Sequence, residues 1–174
     1  FRYIAADMDG SGNLYVAVDP TSSSDPVSSI YVVNVNSVSV TQTISPSPAI
    51  PSATNTFNNA YSGSYVNDLA YSPTDNHIYA FIQSGHLYKI NMATGASTLL
   101  GSTVGIAGSG SNTSSGVFGA VFADQSGALY GIDNITGDLY AFDRSTGAMT
   151  YITIAQSGTF NDGAACNQAS LFVQ

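Results

Sequence analysis

Apolar and polar positions alternate along the chain in short runs, most plainly in LYKIN (87–91) and LYAFD (139–143), where every second residue is apolar. A period of two belongs to a strand, because successive side chains on a strand point to opposite faces. No stretch keeps a helical spacing for a dozen residues. Runs of about five to seven residues, rich in Tyr, Val, Ile and Phe and divided by Gly, Asp, Asn, Ser and Pro turns, predict an all-β chain.

The runs repeat as a set. Aligning the tyrosines of NLYVAV (13–18), HIYAFI (77–82) and ALYGID (128–133) brings their neighbourhoods into step. Each is preceded by a turn, DGSG (9–12), PTDN (73–76) or DQSG (124–127), and before that by an apolar run, YIAAD, VNDLAYS or GAVFA. Downstream come SIYVVNV, HLYKINM or DLYAFDR, and then a fourth run, VTQTIS, STLLGS or TYITIA. Four runs per unit at a period of about 50 to 60 residues predict the four-stranded antiparallel blades of a β-propeller. The blades are expected at about 1–48, 62–104 and 115–156, with an extra strand at 158–168, all within one domain, 1–174.

The stretches DxSGxLY and GxLYxxDxxTGA resemble the propeller repeats of secreted and cell-surface proteins of bacteria and fungi, a group that includes the NHL-like and YVTN-like propellers. FNDGAAC (160–166) resembles the strand that ends such a domain in one surface-protein family. The resemblance covers nearly the whole chain and implies a fold more than an activity. It also implies about twice as many blades as the three found here. The stretch from Ile44 to Ser64 is longer and richer in Pro and Asn than a blade connection usually is.

Three blades are fewer than the roughly four to eight that close a ring. Two apolar blade faces would then stand in water, so the chain is expected to belong to a longer propeller or to be completed by further copies of itself. Asn161-Asp162 echoes Asn67-Asp68, and a first strand at 160–166 donated to a neighbour would give a closed oligomer or, run head to tail, a filament.

Composition narrows the partners. Eleven Asp and Glu stand against three Lys and Arg, and those three, Arg2, Lys89 and Arg144, are far apart in sequence. Nucleic acid and anionic membrane surfaces are thereby poor partners, because counterion release needs clustered cations. No apolar run approaches the roughly 20 residues of a membrane-spanning helix. Ser, Thr, Asn and Gly supply the polarity instead of charge, a style that fits an extracellular or cell-surface protein. Cys166 is the single cysteine, so its partner is another chain or it is a small buried hydrophobe. Asn112 and Asn134 head sequons that a eukaryotic host would glycosylate.

Several residues are candidates for chemistry. In DMDGSGN, Asp7, Asp9, Ser11 and Asn13 fall on alternate positions, the spacing of an oxygen-ligand calcium loop. The closing Glu of such a loop is missing, since position 18 is Val, and Asp19 is the nearest carboxylate. The simpler reading is a turn, because Asp bonds back to the amides that follow it and Gly accepts positive φ. Asn67, Asp68, Asn161 and Asp162 lie on first strands, which line a propeller's channel, so they are the ligand-binding candidates; the alternative is that these Asp residues bond to neighbouring blades or cap turns. The third unit has Phe118-Gly119 at the matching place. His77 and His86 could meet across a hairpin, but no third ligand accompanies them. Tyr15, Tyr31, Tyr79, Tyr88, Tyr130 and Tyr140 repeat at matching positions and read as core. Tyr3, Tyr61, Tyr65 and Tyr71 fall outside that pattern and are the candidates for sugar stacking. Gly108-Ser109-Gly110-Ser111 sits in a polar stretch that reads as a flexible linker, without the strand-to-helix context of a nucleophile elbow.

The expected function is a non-enzymatic extracellular scaffold, structural or adhesive, that self-associates through its blade edges and needs no cofactor unless DMDGSGN holds calcium. The alternatives are a carbohydrate- or protein-binding propeller and, third, a hydrolase or lyase with a site the motifs do not reveal.

Overall fold

The computed structural model describes residues 3–18, 29–50, 66–82 and 85–155. The strands of the first blade are β1 (Tyr3–Met8), β2 (Asn13–Val18), β3 (Ser29–Asn34) and β4 (Ser39–Ile44). Those of the second are β5 (Val66–Ser72), β6 (His77–Ile82), β7 (His86–Asn91) and β8 (Ser97–Ser102). A hairpin follows, β9 (Val104–Ala107) and β10 (Thr113–Ser115), and then the third blade, β11 (Phe118–Ala123), β12 (Leu129–Asp133), β13 (Asp138–Phe142) and β14 (Met149–Ile154). Each blade is a four-stranded antiparallel meander in sequence order, and no helix occurs among the described residues. The chain has the β-propeller type of fold.

Turn chemistry explains why the strands stop where they do. Asn34 and Asn91 end the third strand of their blades and Asp143 follows directly on that of the third, and each side-chain oxygen accepts the N–H groups two and three residues on. That arrangement holds the chain in a reversal before the fourth strand begins. In the second and third blades the turn finishes with Gly95 and Gly147 in the left-handed region, at φ 75° and 73°. The first blade has Val38 at the matching place, at φ 49°.

Every first strand carries a bulge at one shared position. Registers skip between Tyr3 and Ala5, between Val66 and Asp68, and between Phe118 and Ala120, leaving Ile4, Asn67 and Gly119 as the extra residues. An extra residue bends the strand and sharpens its twist, which suits the strand nearest a propeller axis. The bulge also corrects the alignment of the first strands. Gly119-Ala120 matches Asn67-Asp68, one place along from the Phe118-Gly119 expected from sequence.

The blades pack face to face through two cores. Between the first and second lie Ile30, Val32, Ile44, Leu69, Ile78, Ile82 and Ile90, with Tyr15 stacked on Tyr71 at 4.6 Å. Between the second and third, Phe81, Phe118, Phe142 and Tyr140 meet mostly edge to face. The polar stretch after β8 is a built hairpin and not the flexible linker expected. Ser109 donates both its N–H (3.1 Å) and its hydroxyl (2.6 Å) to the buried Asp138 carboxylate, which ties the hairpin to the third blade.

Candidate functional site

The innermost strand of a blade is a sheet edge, with unpaired N–H groups that must find acceptors. Two carboxylates supply them. Asp7 Oδ2 in the first blade accepts the Tyr71 N–H of the second at 2.7 Å, and Asp68 Oδ2 in the second accepts the Val121 N–H of the third at 2.6 Å. By register Asp7 matches Ala70 and Asp68 matches Ala120, so each carboxylate reaches the residue one beyond its own counterpart in the next blade. The same clasp is made twice, two positions apart along the strand. Asp68 also accepts the Leu69 N–H and is buried. The ligand-binding candidate Asp68 is therefore a blade-to-blade bond, while Asn67 keeps a buried Nδ2 with no hydrogen-bond partner among the described residues. Asn161, Asp162 and Cys166 lie outside the described residues, as do Asp19, Tyr61 and Tyr65.

In DMDGSGN the oxygen ligands divide between two tasks. Asp7 turns to the neighbouring blade, and burial pushes its carboxyl above the usual range against the hydrogen bonds from Tyr71 and Met8. Asp9 closes its own turn, accepting the N–H groups of Ser11 and Asn13, the Asn13 amide and the Tyr15 hydroxyl at 2.8–2.9 Å. Desolvation opposes its charge, but those four bonds outweigh it and hold its carboxyl below the usual range. Asp124 repeats the device in the third blade with the N–H groups of Ser126 and Ala128. Among the described residues, no group of three or more His, Cys, Asp or Glu side chains could hold a metal ion.

Two of the cations separated in sequence, Lys89 and Arg144, meet in space at Asp75, while Arg2 lies outside the described residues. Lys89 Nζ stands 3.1 Å from Asp75 Oδ2 and 5.6 Å from the centre of the Tyr79 ring, and the Tyr79 hydroxyl donates to the same carboxylate at 2.7 Å. From the third blade, Arg144 Nη1 reaches Ser72 Oγ at 2.8 Å, Thr74 Oγ1 at 2.6 Å and Asp75 Oδ2 at 3.8 Å. Desolvation works against the Asp75 charge, but Tyr79, Ser72 and Lys89 hold its carboxyl below the ordinary value. This network staples the second blade to the third. His77 and His86 do not form a pair: in the β6–β7 ladder His77 lies opposite Asn91 and His86 opposite Ile82, at the two ends.

Sequence reasoning missed the acids that build the hairpin. Asp133 accepts the Ser115, Ile135 and Thr136 N–H groups and the Ser115 hydroxyl, and it is buried like Asp138. Ser at the far end of each loop was the only available signal. The Tyr140 hydroxyl, desolvated and close to Asp138 and Asp133, is pushed up to about 12. Of the sequon residues, Asn112 is exposed, whereas Asn134 Oδ1 accepts the Gly119 N–H at the bulge. Tyr71, a sugar-stacking candidate, is committed to Tyr15.

At the rim the blades touch through the Thr-Gly-Ala turns. A Cβ on Gly95 would stand 2.5 Å from the Ser45 carbonyl oxygen, just past β4, and one on Gly147 would stand 2.8 Å from Leu100 Cβ on β8. The outermost strand of each blade thus seats on the turn of the next. Val38, the first blade's counterpart, is 85% exposed.

Known structures share this architecture at low identity. The chain is 13% identical to a catalytically inactive variant of virginiamycin B lyase from Staphylococcus aureus solved with quinupristin, covering 93% of this chain and 44% of that one, with a TM-score of 0.52. The selenomethionine form of that lyase gives 11% identity over 92% and 45%, with a TM-score of 0.49. A protein of unknown function from Bacteroides thetaiotaomicron VPI-5482 gives 19% over 91% and 33%, also at 0.49. The chain spans less than half the length of these neighbours, and at such identities the likeness concerns the fold alone. No curated protein matches it. Residues 1–168 match the family described as a repeat of unknown function (DUF6923), and the chain belongs to that family.

Proposed function

We propose that the protein is a non-enzymatic extracellular scaffold, structural or adhesive, whose principal activity is to associate with copies of itself through the outer edges of its first and third blades. The observation that supports this reading is where the exposed apolar side chains lie. Val35, Val38 and Val40 sit together on the first blade's rim, and Ile152 and Ile154 sit on the last strand of the third. At the internal junctions the places of Val35 and Val40 are taken by Met92, which is buried, and by Met149, which packs against the core. Of the eight large apolar side chains exposed among the described residues, Val35, Val38, Val40, Ile152 and Ile154 stand on the two outer surfaces of the three-blade array, and Met8, Leu99 and Ile135 are the others. Apolar groups concentrated in this way mark surfaces that associate. Among the described residues, the charged side chains are engaged in clasps, turns, the hairpin ties of Asp133 and Asp138 and the staple around Asp75.

The test is the native mass of the full chain in solution by light scattering, across a concentration series and with and without a calcium chelator. Particles of twice the chain mass or more are expected, unchanged by chelation. A monomer at every concentration overturns the reading, and collapse on chelation assigns calcium to DMDGSGN instead. A second reading rests on Asn67: its unpaired buried Nδ2, at a bulge on the axial strand, is a donor suited to a hydroxyl or carbonyl oxygen of a sugar or peptide.

A further inference from the structure

The two internal junctions show what covers the rim turn of a blade. In both, the end of the preceding blade's fourth strand lies on the turn, Ile44-Ser45 against Gly95 and Leu100-Gly101 against Gly147. Met92, which begins the second blade's turn, is 5% exposed under that strand, and Gln42 Nε2 donates to its carbonyl oxygen. Met149, two residues after Gly147, packs into the core between the second and third blades.

The first blade carries the same turn, and among the described residues no strand lies on it. Val35 matches Met92 and is 42% exposed; Val40 matches Met149 and is 57% exposed. Val38 holds a β-branched side chain at φ 49°, a strained conformation for an L residue. A turn with no task would lose that strain by carrying glycine, as its two counterparts do. At the opposite end of the array, Thr153-Ile154 matches Ile44-Ser45 by register and Ile152-Thr153 matches Leu100-Gly101, so the third blade presents the strand end that seats on such a turn. Its Ile152 and Ile154 are exposed.

We propose that β14 of one copy seats on the first-blade turn of a second copy, with Ile152 and Ile154 against Val35, Val38 and Val40, in a head-to-tail junction. This rests on the reading that the chain self-associates, and it names the two surfaces. The contact is not a repetition of the internal ones. A Cβ at this position would collide with a strand seated as closely as Ser45 or Leu100 is, so the incoming strand stands off by one side chain. The intermolecular junction is thereby distinguished from the intramolecular ones, and the valines fill the widened gap. Two such junctions close a six-bladed pair; an open succession makes a filament.

The experiment uses full-length chains carrying Val38→Asp or Ile154→Asp, both at exposed positions, with circular dichroism and thermal unfolding as folding controls. Each variant alone is expected to need roughly tenfold or more protein to reach the wild-type mass. An equimolar mixture is expected to recover a two-chain species, because the intact tail of the first meets the intact head of the second. If the wild type associates and both folded variants associate equally well, the surfaces named here are wrong while self-association stands. If Ile154→Asp is silent and Val38→Asp is not, the valine patches meet each other across a two-fold axis and the head-to-tail junction is refuted. A monomeric wild type overturns the reading and this inference together.

Discussion

The junction between the first two blades is filled mainly by isoleucines, with one Tyr15–Tyr71 stack, and the junction between the second and third mainly by aromatic rings. Ile30, Ile78, Ile82 and Ile90 fill the one, and Phe81, Phe118, Phe142 and Tyr140 fill the other. At the axis and the rim, however, the two junctions use the same parts. A carboxylate on the inner strand accepts an N–H of the next inner strand, and a glycine turn lies against the previous outer strand. The contrast shows where the geometry of a blade pair is set. Apolar side chains between two sheets can be exchanged as long as they fill the space, whereas the close backbone approaches at the two margins admit few solutions.

The largest effect is expected where the comparison is widest, in the cores. Phe118 is fully buried, with ring centres 5.3 Å from Phe142, 5.6 Å from Phe81 and 5.9 Å from Tyr140. Phe118→Ala should cost about 3–5 kcal/mol of unfolding free energy. Its counterpart Val66→Ala should cost about 2 kcal/mol, from the two methyl groups and the smaller cavity. Urea midpoints at constant slope check both. Equal losses would show that the larger aromatic side chain, though it buries more area, stabilises its junction no more than valine does.

Next come the rim turns. Gly147→Ala places a methyl group in the left-handed region and against Leu100, so roughly 2–4 kcal/mol should be lost. Thermal unfolding of Gly147→Ala and Gly95→Ala measures whether the two junctions are alike at this margin. A loss below 1 kcal/mol at Gly95, whose obstacle is the Ser45 backbone, would mean that the outer strand yields readily.

What the sequence made legible follows from the range over which each feature is encoded. Strands and turns are local: the alternation in LYKIN and the Asp or Asn that opens each reversal sit within a few residues of what they shape. The four-strand repeat was legible for the same reason. The clasps were half legible, because Asp68 could be placed on an inner strand, but its acceptor role depends on an N–H 53 residues away. The bulge at Gly119 shifted the alignment by one residue, an offset that no composition signals. Thr-Gly-Ala showed only as part of the repeat, and the reason for its glycine beyond the positive φ, the strand seated on it, appears only when two blades are side by side. The hairpin at 104–115 escaped detection because its stability comes from Asp133 and Asp138 and not from its own polar residues.

The smallest expected effect separates the two clasps. Asp68→Ala strands the buried Val121 N–H and should cost about 1–3 kcal/mol. Asp7→Ala removes an equally short bond, but burial has pushed the Asp7 carboxyl up, so ionised Asp7 already works against the fold. Truncation there removes a hydrogen bond and a partly desolvated charge together, and at neutral pH the net loss should stay below about 1 kcal/mol. The sign of the pH dependence is a further mark. A carboxyl whose folded value is raised gives stability that is fully present below its unfolded value and lost as pH rises through the folded one. The wild type should therefore gain on Asp7→Ala as the pH is lowered from 7 to 4, measured by urea midpoints at each pH. A difference that shrinks over that interval would mean that the bond to Tyr71 depends on the charge, and that the first junction is clasped as firmly as the second.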